Sequence, residues 1–139
     1  MTDPGPHARP KPPRPLKLDV HVPAESRSYP VLIGRGAIGR LGAELQQRLG
    51  RTGAAVALVT DSTVAPLLGA VAQANLEAQG FSVVPIVIPA GEAHKTTATL
   101  LEVLGAMIVS GMGRRDAVVA LGGGVVGDLS GLAAAMFMR

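Results

Sequence analysis

The stretch Val118–Ala135, VVALGGGVVGDLSGLAAA, decides how this chain reads. An aliphatic run ends in three consecutive glycines, Gly122 to Gly124, and an apolar helical pattern begins near Val125. Strand, glycine turn and helix in that order place backbone N–H groups at the positive end of a helix, where a diphosphate can approach them. Gly122, Gly124 and Gly127 satisfy G-x-G-x-x-G, in which the missing side chains permit a tight turn and a close approach of the backbone to a ligand. No Lys followed by Ser or Thr closes the loop, so it is not a Walker loop, and a dinucleotide is favoured over a triphosphate.

The spacing alone is weak evidence, because IGRGAIGR sets Gly34, Gly36 and Gly39 at the same intervals, again after a strand pattern and before a helical one. There the plain strand-to-helix turn is the stronger reading. At Gly122–Gly127 a turn that needs positive φ competes evenly with cofactor binding. The acidic residue expected about 20 positions after a dinucleotide loop would fall beyond Arg139.

Outward from this turn the pattern alternates. Leu16, Leu18, Val20 and Val22 in LKLDVHV repeat every second residue, as a half-buried strand does, and Ser28 to Gly34 reads as a second strand. Ile38, Leu41, Leu45 and Leu49 lie on one helical face, with Gly50 as the C-cap. Ala55–Thr60 and Ser82–Ile88 are short apolar strands around a helix from Val64 to about Gln79. A helix from Ala98 to about Ser110, a strand from Asp116 to Leu121 and a helix from Val125 to Met138 follow. This alternation predicts an α/β fold, a Rossmann-like, mostly parallel sheet flanked by helices. The last three strands read as buried on both faces, and the first as an edge or hairpin partner. Six of the eleven prolines fall in Met1–Pro15, too polar a segment to offset its ordering entropy, so residues 1–15 read as a disordered tail and 16–139 as one domain.

Composition removes other classes. With no cysteine there is neither a disulfide framework nor a thiolate metal site, in keeping with a reducing, cytoplasmic setting. Of the net charge of +3, Arg9, Lys11 and Arg14 against Asp3 leave two in the tail, and no basic stripe with interleaved aromatics exists, which argues against a nucleic-acid partner. No run approaches the roughly 20 apolar residues of a membrane helix, nor does the proline-rich start resemble a secretory signal.

Three segments in order, VTDSTVAPL from Val59, PAGEAHK from Pro89 and LGGGVVGDLSGLAAAMFMR from Leu121, resemble the successive signatures of the 3-dehydroquinate synthases over about Leu16 to Arg139. The resemblance implies an NAD-binding α/β domain, normally followed by a helical metal-binding domain with the active site between them. It implies conversion of 3-deoxy-arabino-heptulosonate 7-phosphate to 3-dehydroquinate and phosphate through transient oxidation by NAD, with zinc or cobalt in the full-length enzyme. By matched position, Asp61, Gly91, Glu92, Lys95, Gly123, Gly124, Val125, Gly127 and Asp128 would contact NAD, and Arg139 would reach the sugar phosphate substrate. The family's metal ligands and its catalytic Lys, Asn and Arg would lie downstream, so no catalytic or metal residue is assigned in this chain. A homodimer is expected of the full-length protein.

Simpler roles stand beside these. Asp61 or Ser62 suits capping of the next helix, and Glu92 with Lys95 suits an ordinary i,i+3 pair. His94 is rejected as a ligand, since only His7 and His21 accompany it. Alternatives to the synthase are a related sugar-phosphate cyclase, a metal-dependent polyol dehydrogenase sharing its plan, and a non-catalytic nucleotide-binding remnant. The chain alone is expected to be inactive, and phosphate release from the heptulosonate would contradict this. Its apolar end, Leu132–Met138, is expected to promote self-association, against which a monomer in sedimentation would count.

Overall fold

The computed structural model describes residue 14 and residues 16–22 and 27–138. The tail expected over residues 1–15 therefore lies, but for residue 14, outside the described residues, as does Arg139. Two compact units emerge, one ending at Ala37 and one beginning at Ile38.

The first unit is a hairpin. Strand β1 (Leu16–Val22) pairs antiparallel with β2 (Arg27–Ile33), as expected of a hairpin partner. Opposed residues share a face of such a ribbon, so the register Leu16↔Ile33, Leu18↔Val31 and Val20↔Tyr29 gathers the apolar residues on one side.

The second unit runs through α1 (Leu41–Leu49), β3 (Ala55–Asp61), α2 (Ala70–Glu77), β4 (Ser82–Ile88), α3 (Thr97–Val109), β5 (Ala117–Leu121) and α4 (Gly124–Met136). A 3-10 turn (Ala37–Arg40) precedes α1 and a π-helical turn (Ala65–Gly69) leads into α2, where an uninterrupted helix was expected. Pro66 at the second position of that turn, lacking an N–H to give, accords with an irregular first turn. Gly50 caps α1 in the left-handed conformation at φ 61°, as its sequence position predicts.

The three strands form a parallel sheet in the order β4-β3-β5. Alternate residues of β3 serve two cores: Ala57 and Val59 pack with Val103, Met107, Val126 and Leu129, while Val56 and Leu58 pack with Ala72, Leu76 and Phe81. Helices thus cover both faces, as a parallel sheet requires. The expectation that all three strands are buried is corrected, because only β3 is flanked on both edges. Ser82, Pro85 and Val87 on β4 and Ala120 on β5 are exposed. An edge also tolerates Pro85, whose missing N–H would break a central ladder.

Asn75 fastens α1 to α2. Its side-chain oxygen accepts from the Gly42 N–H at 2.8 Å and its amide donates to the Gly39 carbonyl at 2.7 Å. Thus one of the free N–H groups at the start of α1 is satisfied by a side chain of the neighbouring helix. A Cβ on Gly42 would stand 2.3 Å from the Asn75 backbone oxygen, which is held in α2 and cannot move aside. Gly42→Ala should therefore destabilise the fold by about 1–3 kcal/mol in thermal or denaturant unfolding, and an unchanged midpoint would show that the helices can separate.

Candidate functional site

In a parallel sheet all strands end on one side, and ligands of such folds sit beyond those carboxyl ends. The three segments singled out in the sequence meet there: Asp61 closes β3, Pro89–Lys95 follows β4, and Gly122–Gly124 follows β5. Side chains tie them together. Ser62 donates its N–H to the Ile88 carbonyl, and its hydroxyl accepts from the Ala90 N–H at 3.2 Å, joining the loops after β3 and β4. Thr60 donates to the Leu121 carbonyl at 2.7 Å, joining the ends of β3 and β5.

The glycine turn has no positive φ at Gly122, Gly123, Gly124 or Gly127, which corrects the view that backbone conformation could account for these residues. At Gly122 the reason is steric: a Cβ would stand 2.7 Å and 2.9 Å from Cγ2 and Cβ of Val126, a stiff branched side chain. Nothing lies within 4 Å of a Cβ added at Gly123, Gly124 or Gly127. Within α4, glycine costs roughly 0.8–1.0 kcal/mol relative to alanine in the helix interior, and no neighbour among the described residues gives a steric reason for it at Gly124 or Gly127.

Gly123 is the N-cap of α4 and supplies no side-chain hydrogen bond. The first N–H groups of the helix accordingly face outward with the positive end of the dipole. The starts of α1 and α3 differ: Thr96 accepts from the Thr99 N–H at the start of α3, and Asn75 accepts from the Gly42 N–H in the first turn of α1. The first glycine match, which ends at Gly39, thus leads into a helix start already engaged by protein, in line with its reading as an ordinary turn. The α4 terminus fits the anionic diphosphate of a dinucleotide, with open space at the positions where a ligand must come close.

Asp61 performs the simpler of its two candidate roles and leaves one oxygen turned toward the glycines. Oδ1 accepts from the Thr63 and Val64 N–H groups at 2.8 Å and 2.9 Å, the capping role. Oδ2 faces the glycine turn, 3.4 Å from where a Cβ on Gly122 would stand. Gly91 sits at φ 106°, a conformation costly for any other residue, and opens the 3-10 turn Glu92–His94. Val125 is half-buried against the core, whereas Glu92 and Asp128 are exposed.

Lys95 is the charged link of the site. Its ammonium lies 3.5 Å from Glu92 Oε1, the pair expected from spacing, and 2.7 Å from Asp128 Oδ2 on α4, a contact that local spacing does not reveal. The hydrogen bond and charge of Asp128, with the charge of Glu92, raise the Lys95 pKa above its ordinary value. The bridge spans a cleft between α3 and α4 lined by Thr96, Thr97, Leu100, Leu129 and Leu132. Thr60 and Thr96 carry no assigned role in the sequence, and Ser62, there a capping candidate beside Asp61, instead joins the loops after β3 and β4. Asp116 is structural, its two oxygens accepting from the Ala55 and Gly113 N–H groups at the opposite end of the sheet. Among the described residues no three His, Asp or Glu side chains gather to hold a metal ion.

Residues 85–139 match the family model described as 3-dehydroquinate synthase N-terminal. The 3-dehydroquinate synthase of Rhizobium rhizogenes is 44% identical over 125 residues, 90% of this chain and 33% of that protein. That of Neisseria meningitidis serogroup C is 41% identical over 122 residues, 88% of this chain and 33% of its own. The chain spans about a third of the length of the curated relatives it matches. Among solved structures, 2-deoxy-scyllo-inosose synthase with carbaglucose-6-phosphate, NAD+ and Co2+ shares the fold at TM-score 0.73 and 22% identity, over 89% of this chain and 33% of that one. A 2-epi-5-epi-valiolone synthase from Streptomyces hygroscopicus with NAD+ and Zn2+ bound gives TM-score 0.56 and 37% identity, over 61% of this chain and 24% of that one.

The bridge to α4 yields a direct test. Asp128→Asn should lower the Lys95 pKa toward its ordinary value in an NMR titration of the lysine side chain. In the unsubstituted protein the bridge persists at neutral pH and is lost as pH rises through the raised pKa. An unchanged titration in the variant would mean that Asp128 does not hold the ammonium.

Proposed function

We propose that this chain, which belongs with the 3-dehydroquinate synthases over the third of their length that it spans, is their NAD-binding part, with residues 16–139 as the domain concerned. The observation that carries the reading is the open space at Gly123, Gly124 and Gly127, without positive φ, at an uncapped helix terminus beyond the carboxyl ends of the strands.

Bound NAD supplies a hydride acceptor for transient oxidation of a substrate hydroxyl. The chain's own residues bind and orient it. The N–H groups at the start of α4 receive the diphosphate, and the glycines let it come within hydrogen-bond distance. Asp61 keeps Oδ2 for a ribose hydroxyl while Oδ1 holds the following turn. Glu92 offers a second acceptor to ribose. Lys95 offsets the carboxylate of Asp128, whose charge would otherwise oppose an anion beside it. Gly91 turns the chain so that Glu92 and Lys95 stand at this edge.

The activity proposed for the whole protein is conversion of 3-deoxy-arabino-heptulosonate 7-phosphate to 3-dehydroquinate and phosphate, supported by relatives of that name at 41–44% identity over about nine-tenths of this chain. Arg139 is proposed to contact the sugar phosphate, and a divalent metal is proposed to be held by residues outside this chain. A related sugar-phosphate cyclase is a second reading, favoured by the 37% identity to the valiolone synthase. Turnover of the heptulosonate, as against other sugar phosphates, separates the two.

Calorimetric titration with NAD tests the site itself. Gly124→Ala has room for its methyl group and should leave the melting temperature unchanged or raised, while weakening NAD by about tenfold or more, a loss of at least 1.4 kcal/mol. Gly122→Ala should instead lower stability by about 1–3 kcal/mol through its clash with Val126. Undiminished NAD affinity in the stable Gly124→Ala protein would refute diphosphate binding at this turn.

A further inference from the structure

We infer that Thr60 is a positioning residue for the dinucleotide site, its hydroxyl fixing the peptide plane that leads into the glycine turn. The inference rests on the NAD reading above. Thr60 is 3% exposed and follows four buried apolar residues, Val56 to Val59, on the central strand. A hydroxyl there gives up its water, a loss worth incurring only if it makes a bond inside. The bond it makes goes to one atom, the Leu121 carbonyl oxygen, at 2.7 Å.

That acceptor's place matters more than its chemistry. Thr60↔Leu121 is the last rung between β3 and β5, whereas β3 continues beside β4 to Asp61↔Ile88. Beyond this rung no backbone ladder holds β5. The next residue is Gly122, so the Leu121 carbonyl and the Gly122 N–H belong to one planar unit. Anchoring the carbonyl on β3 fixes the orientation of that plane, and the turn through Gly123 to the start of α4 proceeds from it. Valine matches threonine in shape and suits a buried strand at least as well, so filling and strand propensity do not call for the hydroxyl. Asp61, the adjacent residue, faces Gly122 with Oδ2, so the carboxylate and the turn are set against each other by consecutive residues of one strand.

The test compares Thr60→Val, which keeps the shape and loses the donor, with Thr60→Ser, which keeps the donor. Binding of NAD is measured beside binding of adenosine, which carries no diphosphate. The expected result is that Thr60→Val melts close to the unsubstituted protein, binds NAD up to about tenfold more weakly, as loss of one hydrogen bond allows, and binds adenosine as before. Thr60→Ser should retain NAD affinity within about twofold, since its donor remains. If Thr60→Val does not fold, Thr60→Cys, a weak donor of similar size, takes its place with the same expectation. Unchanged NAD affinity in Thr60→Val, an equal loss for NAD and adenosine, or equal loss in the serine variant would overturn the positioning role. Failure of the unsubstituted protein to bind NAD would instead overturn the reading on which it depends.

Discussion

Val126 stands so close beneath Gly122 that no side chain could be placed there, and this contact governs the geometry of the site. β5 turns into α4 there through three glycines, none of them at positive φ. Val126 is also buried in the core with Val59, Val103 and Leu129, so the helix start is fixed by the same packing that holds the sheet. The N–H groups displayed beyond it have a set direction before any ligand arrives. Such preorganisation favours binding because less freedom remains to be lost.

At the same edge the fold engages its hydrogen-bonding groups unevenly. Helix α1 is engaged by Asn75 and α3 by its own Thr96, while α4 has no protein cap. Asp61 splits its oxygens between the following turn and the glycines. The ammonium of Lys95 is shared between Glu92 and Asp128, which ties the loop after β4 to the second turn of α4. Among these three helix starts, the one at α4 is left without a side-chain partner.

Much of this was legible in the sequence because it is local. Period-2 and helical spacing marked the order of the elements, Gly50 announced a left-handed cap, and the aliphatic run before Gly122 marked a strand end. The synthase-like signatures pointed to Asp61, Lys95 and Asp128 one by one. What could not be read is pairing at long range. Nothing near Lys95 indicates that it reaches Asp128, and nothing near Gly42 indicates that its neighbour is Asn75, 33 positions away. Edge exposure depends on strand order, which is why β4 and β5 are less buried than their apolar runs suggested. Spacing likewise cannot tell whether glycine serves conformation, as at Gly91, or close contact, as at Gly122, since only φ and neighbouring atoms separate these causes.

An NMR titration of backbone amides with NAD addresses the central claim most directly. The account predicts that the amides of Gly123, Gly124 and Val125 shift most, with saturation at a common concentration, while those around Gly39 stay in place. Largest shifts at the Gly39 turn, or none at the start of α4, would contradict it.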